Sequence, residues 1–291
     1  MASESAAAAA PEPTDEQLLA VALAAARLAG AVIRRAAGAA VATEEKGGQS
    51  DLVTASDREC QELIVEAIRA AFPSHTVLGE EDVPAGAAAA AAAIARVAEQ
   101  PFLWVVDPID GTTNFAAGLP LCCVSIAAVR AGRTAVGVVY EPSRDEAFTA
   151  MRGRGAALNG APMRAGSAKA LRDAVVGFGG LGRNASVAAP THRALGALGG
   201  RVRALRGLGS AALHHAYVAA GRLDACFDMS LSVWDTAAGA LLVAEAGGRV
   251  SSFAGEDFAL TTRDTLASNG AVHEALRAAL AEAGAVPPDA L

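Results

Sequence analysis

Apolar positions recur at helical spacing from Leu18-Leu19 to Ile33, and Thr14 and Gln17 stand ahead of them at the spacing of a capping box, so a helix is predicted from Thr14. A second pair at this spacing, Ser56 and Glu59, opens a helix with Cys60, Leu63, Ile64, Ala67, Ile68 and Ala71 on one face, which stops at Phe72-Pro73. Asp57 then falls in a first helical turn, beside the partial positive charge there. Phe102 to Val106 is a short, β-branched apolar run that predicts a buried strand. Val124 to Arg130 and Thr134 to Tyr140 form a hairpin around Ala131-Gly132-Arg133, and Ala147 to Met151 is a further strand before the turn-rich Arg152-Gly153-Arg154-Gly155. Beyond about Ala161 strands and helices alternate: strands at Ala174 to Phe178, Val202 to Leu205 and Leu223 to Phe227, helices at Ser210 to Ala220 and Trp234 to Ala246. This order implies two subdomains, 14–160 and 161–291, stacked as helix and sheet layers of an α+β or α/β fold. Residues 1–13 are low in complexity and are expected to be a disordered tail.

Composition narrows the classes. At 291 residues, 53% hydrophobic but only 4% aromatic, the chain can bury a large core of small aliphatic side chains. A net charge of −7 without a basic cluster disfavours an extended nucleic-acid surface. No stretch has the apolar length expected of a membrane span, the Ala87 to Ala93 tract being too short and too weakly hydrophobic. The four cysteines, Cys60, Cys122, Cys123 and Cys226, fit neither C-x-x-C spacing nor a disulfide framework, which points to a reducing compartment. Met1 to Glu16 carries acids and no Lys or Arg, the wrong sign for a signal or transit peptide, so a cytoplasmic location is expected, with a plastid the alternative if a leader has been removed. None of the five histidines has zinc spacing, and His214-His215 falls inside a predicted helix as surface or packing residues.

The candidate chemistry lies in Trp104 to Phe115, where the strand runs into Asp107-Pro108-Ile109-Asp110-Gly111-Thr112-Thr113-Asn114. Pro108 fixes the backbone so that Asp107 and Asp110 converge while the Ile109 carbonyl points inward. Two carboxylates and a carbonyl are hard oxygen donors that suit Mg²⁺. Gly111 gives a ligand room, and Thr112-Thr113 cap a helix whose free N–H groups can hold phosphate oxygens. An isolated D-P-x-D-G is equally a surface turn. Matching acidic segments lie elsewhere, at Asp51 to Asp57, at Leu78-Gly79-Glu80-Glu81-Asp82, and at Ser232 to Gly239, which contains Asp235.

These four segments resemble the inositol monophosphatase family of Mg²⁺-dependent, lithium-sensitive phosphatases, from roughly Lys46 to Asn269. The pattern D-P-[IL]-D-G-T-x-N-F is matched by Asp107 to Phe115 and W-D-x-A-A-G by Trp234 to Gly239. The resemblance implies a five-layer αβαβα sandwich and a site using two or three Mg²⁺ ions. It implies that Glu80, Asp107, the Ile109 carbonyl, Asp110 and Asp235 are metal ligands, and that Asp57 serves a further, weaker metal. Glu80 and Thr112 would orient and activate the attacking water, Glu81 being a surface residue, while the Gly111 and Thr112 N–H groups bind phosphate; Lys46, followed by Gly47-Gly48, either adds positive charge or simply marks a mobile loop. Arg206 to Ala211 is similar to the sugar-side loop, with Ser210 and Ala211 near the ring hydroxyls. Asp228 stands where many members carry Glu, so its polyol contacts are expected to be altered.

A small phosphate monoester is the implied substrate, myo-inositol 1-phosphate ahead of histidinol phosphate. Fructose 1,6-bisphosphate and 3′-phosphoadenosine 5′-phosphate phosphatases share the superfamily, but the short interval from Glu81 to Asp107 leaves little room for the insertions of the nucleotide-phosphate group. The resemblance also implies a homodimer. Some bacterial relatives act in transcription or on RNA, so a non-catalytic regulator is the reading from another class.

Overall fold

Thr14 starts the first helix as its spacing predicts: its Oγ1 accepts from the Gln17 N–H at 3.3 Å, and Gln17 Oε1 accepts from the Thr14 N–H at 2.8 Å. The structure, a computed structural model, describes residues 12–37, 43–48, 51–181 and 185–285. The expected 1–13 tail lies almost wholly outside them. Helix α1, Asp15–Ala36, corrects one expectation, because by length and composition it could cross a membrane. Its stripe of Leu18, Ala22, Ala25, Ala29, Val32 and Ile33 is instead buried against helix α2 and the large sheet.

Strands β1, Thr43–Gly48, and β2, Asp51–Thr54, form an antiparallel hairpin where the sequence predicts a loop at Lys46. Lys46 lies in β1, and its side chain is outside the described residues. Helix α2, Ala55–Ala71, is capped by Thr54 with Asp57 as the reciprocal acid, not by Ser56 with Glu59. Its buried face is Asp57, Cys60, Gln61, Ile64 and Ile68, with Leu63 and Ala67 at the margin and Ala71 exposed.

The large sheet contains β3 Thr76–Gly79, β4 Phe102–Asp110, β5 Cys123–Arg130, β6 Arg133–Glu141, β7 Glu146–Met151, β8 Ala156–Leu158 and β9 Ala161–Met163, side by side in chain order. Only β3 and β4 pair in parallel. A short 3₁₀ turn, Glu80–Asp82, follows β3, helix α3 spans Ala87–Val97, and helix α4 is the single turn Thr112–Ala116. Both faces of the sheet are covered, which explains why its strands read as continuous apolar runs. Val124, Ile126 and Ala128 face α1 and α2, while Cys123, Ala127 and Val129 face the middle of the molecule.

The C-terminal half supplies β10 Val175–Phe178, α5 Ala185–Leu198, β11 Ala204–Arg206, α6 Ala211–Ala219, β12 Ala225–Asp228, α7 Val233–Glu245, β13 Arg249–Ser252, β14 Thr265–Ser268 and α8 His273–Glu282. The second sheet has the order β11-β10-β12-β14-β13, parallel through β12 and antiparallel beyond it. Helices α6 and α7 fill the space between the sheets, and α5 and α8 cover the far side. The layers are therefore α1/α2, large sheet, α6/α7, small sheet, α5/α8, the expected αβαβα sandwich. The middle layer packs closely because its residues are small. A Cβ on Gly137 of β6 would lie 2.8 Å from the Ala238 carbonyl oxygen, and one on Gly239 2.5 Å from His215 Cβ. The A-A-G of the second motif is thus a packing requirement.

Candidate active site

Asp107 and Asp110 converge because of a bulge. Three residues apart on a regular strand they would face opposite sides of the sheet. Between Asp107 and Asp110 the pairing advances only from Ser125 to Cys123 on β5, so β4 carries one extra residue there. The bulge restores a common side, and Pro108, which has no N–H to donate to a ladder, sits inside it. The Ile109 N–H donates to Asp107 Oδ1 at 3.0 Å, and the Ile109 carbonyl accepts from Thr112 Oγ1 at 3.0 Å.

Helix starts bring in the other acids. Asp57 in the first turn of α2 accepts from the Thr54 N–H at 2.8 Å through Oδ2, and its Oδ1 lies 3.4 Å from Thr112 Oγ1. Asp235 occupies the same position in α7, accepting from the Ser232 N–H at 2.7 Å. At the start of α6, Ser210 Oγ and the Ala212 N–H both donate to Asp110 Oδ2, each at 2.6 Å. Side-chain oxygens of Asp107, Asp110 and Asp235 all come within 4.8 Å of one another. Each of these three residues is less than a tenth exposed.

This crowding has an electrostatic signature. Asp107 is pushed well above the usual carboxylate range, first by burial, then by the charges of Glu80, Asp110 and Asp235, and by a hydrogen bond with Glu80. Burial also raises Asp110, opposed by the hydrogen bonds from Ser210 and Ala212. A set of hard oxygen donors that destabilise one another when ionised fits a divalent cation, which would convert that repulsion into coordination. Gly111, with φ of +91°, turns the chain from β4 into α4 and itself occupies the cap position assigned to Thr112-Thr113, leaving Thr112 as the first helical residue.

Asp228 departs from expectation. It ends β12, is 2% exposed, and both its carboxylate oxygens lie against His214 Nδ1, at 3.0 and 3.2 Å. It does not present an open acceptor to a polyol. Gly179 makes room for it, since a Cβ there would sit 2.1 Å from Asp228 Oδ1. Ser210 is likewise committed to Asp110, and both Ser210 and Ala211 are buried. His214 and His215 are core residues, not surface ones. Burial lowers the proton affinity of His214, while Asp228 and Asp110 raise it and prevail. The Leu208 N–H nevertheless points at His214 Nε2, at 3.1 Å, and only an unprotonated nitrogen accepts it.

A match to the inositol monophosphatase family spans residues 14–285. The chain is 42% identical over 240 residues to inositol monophosphatase 2 of Solanum lycopersicum, covering 82% of this chain and 88% of the relative. It is 41% identical over 231 residues to the Nus factor SuhB of Escherichia coli K12, covering 79% and 83% respectively. The solved structure of the Thermotoga maritima IMPase superimposes with a TM-score of 0.81 at 33% identity, over 93% of this chain and 98% of that one. The chain belongs to the inositol monophosphatase family.

For a member of this family, the structure adds roles that the motif leaves implicit. Asn114 Nδ2 donates to the carbonyls of Leu121 and Leu208, each at 2.7 Å, so it ties α4 to the loop before α6. Phe115 is buried beneath the large sheet. Ser125 donates to the Trp234 carbonyl at 3.0 Å and fastens the start of α7 to β5. Gln61 Oε1 accepts from the Glu81 N–H at 2.9 Å, which holds the Glu80–Asp82 turn against α2. Glu81 is only half-buried, at the edge of the centre. The sequence signal for Asn114 was its place in the motif, whereas nothing along the chain marks Gln61 or His214.

Proposed function

We propose that this protein hydrolyses a small phosphate monoester, myo-inositol 1-phosphate foremost, with two or three Mg²⁺ ions held by Glu80, Asp107, the Ile109 carbonyl, Asp110 and Asp235. The observation that carries the reading is the meeting of Asp107, Asp110 and Asp235, from two different elements, within 4.8 Å. When bound, Mg²⁺ would polarise phosphoryl oxygens and lower the pKa of coordinated water. The remaining work falls to the chain. The Gly111 and Thr112 N–H groups at the start of α4 bind phosphate oxygens, and Glu80 accepts the proton of the attacking water. Thr112 Oγ1, between the Ile109 carbonyl and Asp57, orients that water. Ser210 and Ala212 hold Asp110 in place. No covalent intermediate on the protein is needed.

Phosphate release from a panel of inositol, histidinol, sugar and nucleotide monophosphates tests the substrate. The highest kcat/KM is expected for myo-inositol 1-phosphate, with inhibition by Li⁺. A panel led by histidinol phosphate would move the substrate while keeping the reaction. Absence of release from every member would favour the regulatory role that the name of the Escherichia coli relative carries.

A further inference from the structure

We propose that His214 is a positioning residue for substrate binding: Asp228 fixes its tautomer, and its bare Nε2 holds the Leu208 peptide and with it the loop leading into Ser210. The proposal deepens the phosphatase reading, and rests on the segment from Arg206 to Ala211 facing the part of the substrate beyond its phosphate.

The loop follows directly on β11, whose last residue is Arg206, and Leu208 packs its side chain against the central core. Arg206, Gly207 and Gly209 are exposed, and only Leu208 between the glycines is partly buried. The two glycines permit a close fit. A Cβ on Gly207 would lie 3.0 Å from the Phe178 ring, and Gly209, at φ of +75°, would bring one within 2.8 Å of Asn114 Nδ2. Leu208 is gripped from two directions: its carbonyl accepts from Asn114 of α4 at 2.7 Å, and its N–H donates to His214 of α6 at 3.1 Å. One residue, through its two flanking peptide groups, therefore links the phosphate-side helix to the helix whose first turn holds Asp110.

Asp228 decides which ring nitrogen can do this. Its carboxylate accepts and cannot donate, so the proton of a neutral His214 sits on Nδ1 and Nε2 is left as the acceptor that Leu208 requires. Acting through the ring in this way explains a carboxylate at the end of β12 that is closed to a ligand. It places the contribution of Asp228 one residue further from the substrate than a direct contact would.

Two substitutions separate the halves of the clasp. His214→Asn keeps a donor near Asp228 and loses the acceptor for Leu208. His214→Gln can extend an amide oxygen towards Leu208 and leaves Asp228 without its partner. With the best substrate of the wild type, His214→Asn is expected to raise KM about tenfold, since a backbone N–H loses its acceptor, while kcat stays close to wild type and the denaturation midpoint falls less than in His214→Gln. His214→Gln is expected to show the opposite split, with the greater loss of stability and the smaller change in KM. Changes in KM that follow stability in both variants, or an unaltered KM in His214→Asn, would overturn the proposal. Long-range ¹H–¹⁵N correlation of the wild-type ring supplies a readout independent of turnover and of whether His214→Gln folds. A protonated Nδ1 and bare Nε2 are expected, and a charged ring or the opposite tautomer would overturn the clasp. Failure of the phosphatase reading would show separately, as a wild type that releases no phosphate.

Discussion

At Gly111 the backbone angle φ is +91°, and a Cβ would come 2.9 Å from the Leu121 carbonyl oxygen. Gly111→Ala therefore meets a left-handed conformation costing about 1–2 kcal/mol and a backbone contact that cannot yield by rotating a side chain. The expected result is a lower denaturation midpoint together with a fall in kcat/KM of roughly tenfold or more, because Thr112 follows directly and small displacements of positioned groups are expensive. Kinetics and denaturant titration on the same preparation check both. This residue was legible in the sequence, as were Asp107, Asp110 and Asp235, because each stands beside a local backbone signal: a strand end, a proline, a helix start. Asp228 was misread as a polyol contact. Its partner His214 lies 14 residues away on another element, and no local pattern shows that a carboxylate is already taken.

Among the elements, the long periodic runs were readable and the devices that aim the site were not. The β5–β6 hairpin follows from its two apolar runs and the turn between them, and α6 and α7 end within a residue of their apolar patterns. The bulge between Asp107 and Asp110 was hidden, because a bulge is defined by the partner strand that the sequence does not name. The start of α2 was placed two residues late. A search for Ser or Thr followed by Glu or Gln finds Ser56 and Glu59, whereas the helix uses Thr54 with the shorter Asp57, and Ser232 with Asp235 repeats the device at α7. In both helices the acid that closes the cap is also one assigned to the proposed centre, so one residue would serve local structure and chemistry. α1 shows the converse, a membrane-like composition explained by burial under the large sheet.

For the whole molecule, the carboxylate centre trades stability for function. Burial and three neighbouring acids raise Asp107 above its ordinary 3.8 in the folded state. A raised folded pKa means that the native state holds the proton more tightly than the unfolded chain. The stability it contributes is complete below 3.8 and is lost as pH rises through the raised value. In EDTA, then, the difference in stability between Asp107→Asn and wild type should widen in favour of the variant as pH is raised from 4 towards neutrality, following the direction of that shift. Thermal melts across this range check it, and a difference independent of pH would contradict it. Added Mg²⁺ should reverse the ranking, stabilising the wild type by about 2.7 kcal/mol at a hundredfold excess over its dissociation constant.

We propose that the meeting of carboxylates gives this chain its phosphatase activity. Asp110→Asn tests it most directly, because the amide oxygen can still accept from Ser210 and Ala212 while the negative charge is removed. The measurement is phosphate release from myo-inositol 1-phosphate by wild type and variant side by side, in Mg²⁺ and in EDTA. Turnover is expected only for the wild type with Mg²⁺, with a folded variant whose kcat falls by roughly a hundredfold or more. An Asp110→Asn protein that kept near wild-type kcat, or a wild type equally active in EDTA, would contradict it.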